Sequence, residues 1–378
     1  MPRPDYSGSG FVNLVASLVE AGGGRPRHAP LAALRVAELG AARNVVFLIV
    51  DGLGDNYLRE NGAGGALARH RRGAISAVFP STTASAITTS FTGATPLEHG
   101  LTGWFTYFSE AACVGAPLPF QRRGERTALA AEPARLFTER PLFDTLAVRS
   151  LVVSWDKIIG SAYNVHHCGR AERIAYADLE GLIAQTVRAV KSGPDRKFIY
   201  AYWPEFDALS HQHGVGSARV RAHFQALDAA FGELLARLAG TDTVIVLSAD
   251  HGFLDCPMDE AVELPASLAA QLRFPLCGER RVAFCYVHDE RGFIARAREI
   301  LGDKADVRPS RELADEGWFG PGRPHPHFAE RIGDVALVMR GRATVKDWLP
   351  GEPRHLHIGN HGGTSEDEMN IPLVVAQA

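Results

Sequence analysis

An α/β protein, with a mostly parallel central sheet sandwiched between helices and an inserted cap subdomain, is the fold class that this sequence predicts. Three observations carry the prediction. Continuous apolar runs recur, "NVVFLIVDGLG", "RKFIYAYWPEFD", "DTVIVLSADHG" and "NIPLVVA", the first three ending in acids, as strands buried on both faces do. Helix-like stretches at 178–191 and 217–239 lie between them, and alternation of that kind favours parallel pairing. The stretch 255–345 departs from the rhythm, with short apolar runs ("RVAFCYV", "DVALVMR") around the loop-rich "DEGWFGPGRPHPH".

In chain order, the N-terminal segment offers an apolar helical stripe, Phe11, Leu14, Val15, Leu18 and Val19, broken by Asn13 and Ser17. That stripe is too short and too polar for a membrane span or a signal segment, so a docked helix is expected. The run from Asn44 predicts the first strand, with Asp51 at its end. "TASAITTSFTG" predicts a short helix from Thr83, preceded by Pro80. The runs ending at Asp207 and Asp250 predict the next strands, in a sheet whose chemistry sits at the carboxyl ends of its strands. We expect one core from 1–254 and 346–378, and a cap from 255–345.

Composition narrows the function. The 378 residues are 46% hydrophobic and 22% charged, an ordinary globular balance. The net charge is −3, with no dense basic block; Arg122–Arg123 and Arg280–Arg281 are short pairs that read as solvated surface, so no nucleic-acid polymer is expected as a partner. The five cysteines, Cys113, Cys168, Cys256, Cys277 and Cys285, are odd in number and form no CxxC pattern, which predicts reduced thiols in the cytoplasm.

The acids and histidines at strand ends form a set: Asp51, Asp207 with His211, Asp250 with His251, and His361 in "GNHGG". Three carboxylates and three imidazoles suffice for two divalent sites, with zinc the first expectation and manganese possible. The four-residue spacing of Asp207 and His211 puts both on one face if the chain turns helical there. His70, His223 and His288 lack such context; His213, His355 and His357 lie nearer the motifs, although surface exposure is the commoner fate of a histidine. Beside this set stand five hydroxyls, Ser81, Thr82, Thr83, Ser85 and Thr88. One of them at the first helical turn would meet free backbone N–H groups that favour an anion, while helix capping is the ordinary role of such residues.

The ordered set Asp51, Pro80-x-x-Thr83, "TGATPLEHG", Asp207-x-x-x-His211, Asp250-His251-Gly252 and His361-Gly362 resembles the alkaline phosphatase superfamily, and within it the type I phosphodiesterase/nucleotide pyrophosphatase branch, from about residue 44 to the C-terminus. The resemblance implies an alkaline phosphatase-like core and two zinc ions. Asp51, Thr83, Asp250 and His251 would hold one ion, and Asp207, His211 and His361 the other. It also implies that Thr83 is the nucleophile, attacking phosphorus to form a phosphothreonine that water then hydrolyses. The sulfatase branch is set aside, because Thr83 is followed by Ala84, Ser85, Ala86 and Ile87 rather than by a Pro and an Arg at the required spacing.

One departure bears on substrate. The family's Asn after the "HG" turn, which donates to a phosphoryl oxygen, is absent from "HGLTGWFTYF", leaving the Trp104 indole or a backbone N–H to replace it. No Lys or Arg lies between Arg72 and Arg122, whereas Trp104, Phe105, Tyr107 and Phe108 cluster there. Phosphate diesters or nucleotide pyrophosphates are therefore expected ahead of monoesters, unless a distant cation such as Lys157 or Arg281 folds over the site. The expected partner is a small-molecule phosphate ester or nucleotide. The alternatives are a phosphomonoesterase or metal-dependent phosphomutase, and a catalytically silent metal-binding protein; retention of every ligand position and of Thr83 argues against the last.

Overall fold

The run from Asn44 to Val50 is apolar without interruption because this strand has covered neighbours on every side, and all seven of its positions are buried. In the computed structural model, which describes residues 3–125, 127–352, 354 and 356–378, it is strand β1. The chain continues through β2 (Arg71–Ser76), β3 (Arg149–Trp155), β4 (Glu172–Tyr176), β5 (Lys197–Trp203) and β6 (Thr243–Ser248). It then leaves this sheet for β7 (Cys277–Gly278), β8 (Val282–Cys285), β9 (Ala305–Pro309) and β10 (Val335–Met339), and returns in β11 (Asn370–Gln377).

The central sheet has the order β2-β11-β6-β1-β5-β3-β4. Strands β6, β1, β5, β3 and β4 pair in parallel, as predicted. Strand β11 pairs antiparallel to both β6 and β2, a direction that its apolar run does not encode. The sequence reading passed over β2, β3 and β4. The two outermost strands, β2 and β4, are half exposed and carry no apolar run, while Ser150 and Ser154 interrupt the run of β3.

Helices cover the sheet: α1 (Phe11–Ala21), α2 (Thr83–Thr92), α3 (Leu179–Val190), α4 (Glu205–His213) and α5 (Ala218–Leu238). Asp178 and Ser217 cap α3 and α5 by accepting from Gly181 N–H and Val220 N–H. The stripe of α1 docks Phe11 against Phe47 of β1, with ring centroids 6.3 Å apart. Its two polar breaks are buried and pin neighbouring loops: Asn13 donates to the Tyr6 and Ala29 carbonyls, and Ser17 accepts from Leu31 N–H. Among the described residues, no helix is long and apolar enough to cross a membrane.

Strands β7 to β10 form a second, antiparallel sheet in the order β7-β8-β10-β9. Its two faces divide by the period of two that strands impose. Ala283, Cys285 and Leu337 face Phe293, Ala297 and Leu301 of helix α6 (Glu290–Leu301). Val282, Phe284, Ala336 and Val338 instead share a cluster with Trp318, Phe319 and Phe328, and with Phe79 and Val114 from outside the 255–345 stretch.

Candidate active site

The register of the parallel strands places the acids. Val50 stands level with Trp203 and Ile49 with Ser248, so Asp51, the start of α4 and Asp250 emerge side by side at one edge of the sheet. Asp250 Oδ1 accepts from the backbone N–H groups of Gly52 and His251, each at 3.0 Å, which aims Oδ2 outward. Gly252 is required by a close approach rather than by a special dihedral angle. A Cβ there would lie 1.9 Å from the Asp367 carbonyl oxygen.

Three histidines converge on these acids, all oriented in the same way. His251 Nδ1 donates to the Gly252 carbonyl at 3.0 Å, His211 Nδ1 to Gly359 at 2.9 Å and His361 Nδ1 to Ser81 at 3.2 Å. With each Nδ1 protonated, each Nε2 presents a lone pair to the site. His251 Nε2 lies 3.3 Å from Asp51 Oδ1, 3.5 Å from Asp250 Oδ2 and 3.2 Å from Thr83 Oγ1. Asp207 Oδ1 lies 3.4 Å from His211 Nε2, 3.7 Å from His361 Nε2 and 4.0 Å from His251 Nε2. His211 Nε2 and His361 Nε2 face each other at 3.2 Å.

This arrangement is unfavourable for the protein alone and favourable around cations. Asp51 Oδ1, Asp207 Oδ1 and Asp250 Oδ2 are buried without a hydrogen-bond partner. Burial, reinforced by the Asp51 charge, pushes the Asp250 carboxyl up to about 8. Burial raises Asp51 to about 6, against the lowering effect of hydrogen bonds that include one from the Tyr202 hydroxyl. Asp207 is raised well above the usual carboxylate range by burial and by Asp51 and Asp250, and burial holds His361 well below the usual imidazole range. The ligand atoms of Asp207, His211 and His361 form one compact group, and those of Asp51, Asp207 and His251 another. Orphaned oxygens beside opposed imidazole lone pairs fit divalent cations, and Asp207 belongs to both groups.

The five hydroxyls separate by their partners. Ser81 donates to the Gly363 carbonyl, Ser85 to Leu101 and Thr88 to Ala84. Thr82 is the N-cap of α2 but makes no capping bond, because its hydroxyl donates to Glu279 Oε1 at 2.5 Å. Of the five, Thr83 alone lines the cavity beside the acids, and the first-turn N–H groups of α2 receive no side-chain cap.

That cavity, about 520 Å³, runs from Thr83, Asp207, His211 and His361 to a wall formed by Trp104, Phe105 and Gln121–Gly124 together with residues of the 255–345 stretch and the chain after it. The wall holds residues that the sequence reading missed. Glu279, part-buried and with its carboxyl raised by burial, accepts from Trp104 N–H at 2.7 Å. The Trp104 backbone N–H is thereby engaged, so it does not replace the absent family Asn. Tyr202, whose hydroxyl bonds Asp51, was hidden inside the apolar run of β5. The His357 ring lies 4.2 Å from that of His211 and lines the cavity, whereas His355 lies outside the described residues. His223 accepts from the Trp203 indole at 3.0 Å.

The cationic residues also need correcting. Arg123 and Arg281 are buried rather than solvated, because each is enclosed by acids: Arg123 by Asp347 and Glu352, Arg281 by Glu368. Arg281 is thus engaged away from the cavity, and the Lys157 ammonium sits over the Trp155 ring. Arg122, Arg123, Arg280 and Lys346 line the cavity. Of the four aromatics after the "HG" turn, Trp104 and Phe105 reach the cavity; Tyr107 stacks on Phe274 and Phe108 is in the core.

Solved structures share this fold. Murine ectonucleotide pyrophosphatase/phosphodiesterase 5 superposes with a TM-score of 0.67 at 15% identity, with 87% of each chain covered. An inactive variant of that protein in complex with AMP superposes at 0.66 and 15%, with the same coverage. Phosphonoacetate hydrolase from Sinorhizobium meliloti 1021, in complex with phosphonoformate, gives 0.64 at 18% identity, covering 89% of this chain and 90% of that one. At such identities these likenesses speak for the fold alone. The family described as type I phosphodiesterase / nucleotide pyrophosphatase, however, matches residues 45–364, a span that holds every strand-end acid and histidine described above, and the chain therefore belongs to that family.

Proposed function

We propose that the protein is a dimetal hydrolase of small phosphate esters, diesters or nucleotide pyrophosphates above all, with Thr83 as nucleophile and a phosphothreonine intermediate. The observation that carries this reading is the convergence of three Nε2 lone pairs and three orphaned carboxylate oxygens around the single cavity-facing hydroxyl, Thr83. We assign Asp51, Thr83, Asp250 and His251 to one cation and Asp207, His211 and His361 to the other. Three imidazoles favour zinc over manganese. Bound there, two divalent ions would supply Lewis acidity, acidifying the hydroxyl and clamping phosphoryl oxygens.

The chain's own residues supply the rest. The N-terminus of α2 directs uncapped N–H groups toward an anion at Thr83. The carbonyls of Gly252, Gly359 and Ser81 lock the imidazoles with Nε2 inward, and the Tyr202 hydroxyl steadies Asp51. Glu279, a carboxylate beside Thr82, opposes the extra negative charge of a monoester dianion and so supports the diester reading. We assign 1–254 and 346–378 to the catalytic core and 255–345 to a cap that closes the cavity, and the five free, buried thiols support a reducing, cytoplasmic setting.

A monoesterase is the second reading, favoured by Arg280 and Lys346 on the cavity wall. Elemental analysis of protein purified without chelator should find two zinc per chain. With that protein, kcat/KM for bis-para-nitrophenyl phosphate should exceed that for para-nitrophenyl phosphate. A tenfold preference for the monoester, about 1.4 kcal/mol of transition-state binding, decides for the second reading, and absence of both metal and turnover removes the first.

A further inference from the structure

We infer that the far wall of the cavity is a subsite for a second anionic group of the substrate, a carboxylate or a further phosphate, with Lys346 as its anchor. The inference rests on the hydrolase reading of Thr83, and it names the class of ester that this site takes.

Lys346 stands beside Arg280, since Val345 N–H donates to the Arg280 carbonyl at 2.8 Å, and both side chains line the cavity that holds Thr83. The Lys346 ammonium lies 5.4 Å from the Phe105 ring centre and 5.0 Å from that of Trp348. Two aromatic faces hold the cation in place without neutralising it. Among the described residues, no carboxylate lies within ion-pair distance of Lys346. The nearby acids are committed elsewhere. Asp347 Oδ1 accepts from Arg123 at 2.7 Å and its Oδ2 from Leu276 N–H at 2.9 Å, while Glu352 accepts from Arg123 at 3.0 Å and from Leu349 N–H at 3.1 Å. Burial, followed by the Arg123 and Arg280 charges, holds the ammonium down to about 8. A half-buried, aromatic-held cation of this kind gains from a ligand anion what the protein does not give it.

Binding tests this apart from chemistry. Zinc-supplemented Thr83→Ala protein, which holds esters without turning them over, is titrated calorimetrically with methyl para-nitrophenyl phosphate and with its carboxypropyl and phosphonopropyl counterparts. At least one charged ester should bind about tenfold tighter than the methyl ester, and the better of the two identifies the anion. Adding Lys346→Met should bring the ratio to about one, and Lys346→Arg should preserve it. Because each ratio is taken within one protein, a general loss of fold or metal cancels. Equal affinities, a ratio that survives Lys346→Met, or no binding of any ester overturns the subsite and leaves Lys346 as a brace between Phe105 and Trp348. Failure of the hydrolase reading is separate: it is seen in the protein with Thr83 intact, as metal-loaded enzyme that turns over none of the three esters.

Discussion

At the residue scale, Thr83 and its neighbours test whether position or mere chemistry makes a nucleophile. Thr82 carries the same hydroxyl one residue earlier, yet it is bonded to Glu279, and Ser85 is bonded to the Leu101 carbonyl. Thr83→Ala should lower kcat about a thousandfold or more, with circular dichroism and thermal midpoint close to those of the parent. Ser85→Ala and Thr82→Ala should each cost less than about tenfold in kcat. Thr82→Ala should also cost about 0.5–1.5 kcal/mol of stability, because part-buried Glu279 loses one donor. Steady-state kinetics and urea titrations of the three variants check the set; a dead Thr82→Ala beside an active Thr83→Ala would overturn the assignment.

At the element scale, the hairpin of β7 and β8 holds the loop that carries His361. Arg281, just before β8, meets Glu368 through Nε at 3.0 Å and Nη2 at 3.1 Å, and Glu368 accepts from Gly363 N–H at 2.8 Å, two residues beyond His361. Both members of the pair are buried, so removing one strands the other. Arg281→Met should lower the unfolding free energy by about 3–5 kcal/mol and weaken divalent-metal binding, whereas Arg281→Met with Glu368→Gln, which keeps an acceptor for Gly363 N–H without a buried charge, should recover part of the stability. Chemical denaturation and zinc titration of both variants measure these outcomes. What the sequence made legible follows the same elements. Strands β1, β5 and β6 could be read because burial on both faces requires unbroken apolar runs, and Asp51, Asp207 and Asp250 because strand ends are where polar groups can stand. The wall residues Glu279, Arg280 and Lys346 had no such signature. Their place at the site comes from how the 255–345 stretch and the chain just after it fold back over the strand ends, and no local pattern of side chains records it.

At the scale of the whole molecule, acid acts where the 255–345 stretch meets the rest of the chain. His99 follows α2, His167 packs on Phe91 of α2 and His325 belongs to the 255–345 stretch; burial holds the first well below the usual imidazole range and the other two down to about 3. A base whose folded pKa lies below its unfolded value of 6.5 stabilises the fold fully above that value and loses the contribution as pH falls toward 3. Stability should therefore decline between pH 6.5 and 3. His167 packs against Phe91, Phe137 and Tyr163, so His167→Phe keeps an aromatic ring there and removes one titrating group. Urea midpoints against pH should show a shallower decline for this variant than for the parent, and identical slopes would refute the assignment.

The register that brings Asp51, Asp207 and Asp250 to one edge also sets a schedule. Asn44 pairs with Lys197 on one side and with Thr243 on the other, so the three acids become neighbours only after stretches of chain 153 and 199 residues apart have found each other. Such closures are slow, because chain entropy is lost long before contacts repay it. No early hairpin or isolated helix holds more than a fragment of the cluster, and a divalent ion meeting the unfolded chain would find no template to nucleate on. Recovery of hydrolysis after dilution from denaturant is thus a clock for the last joining of the sheet, and it should lag the return of helical signal.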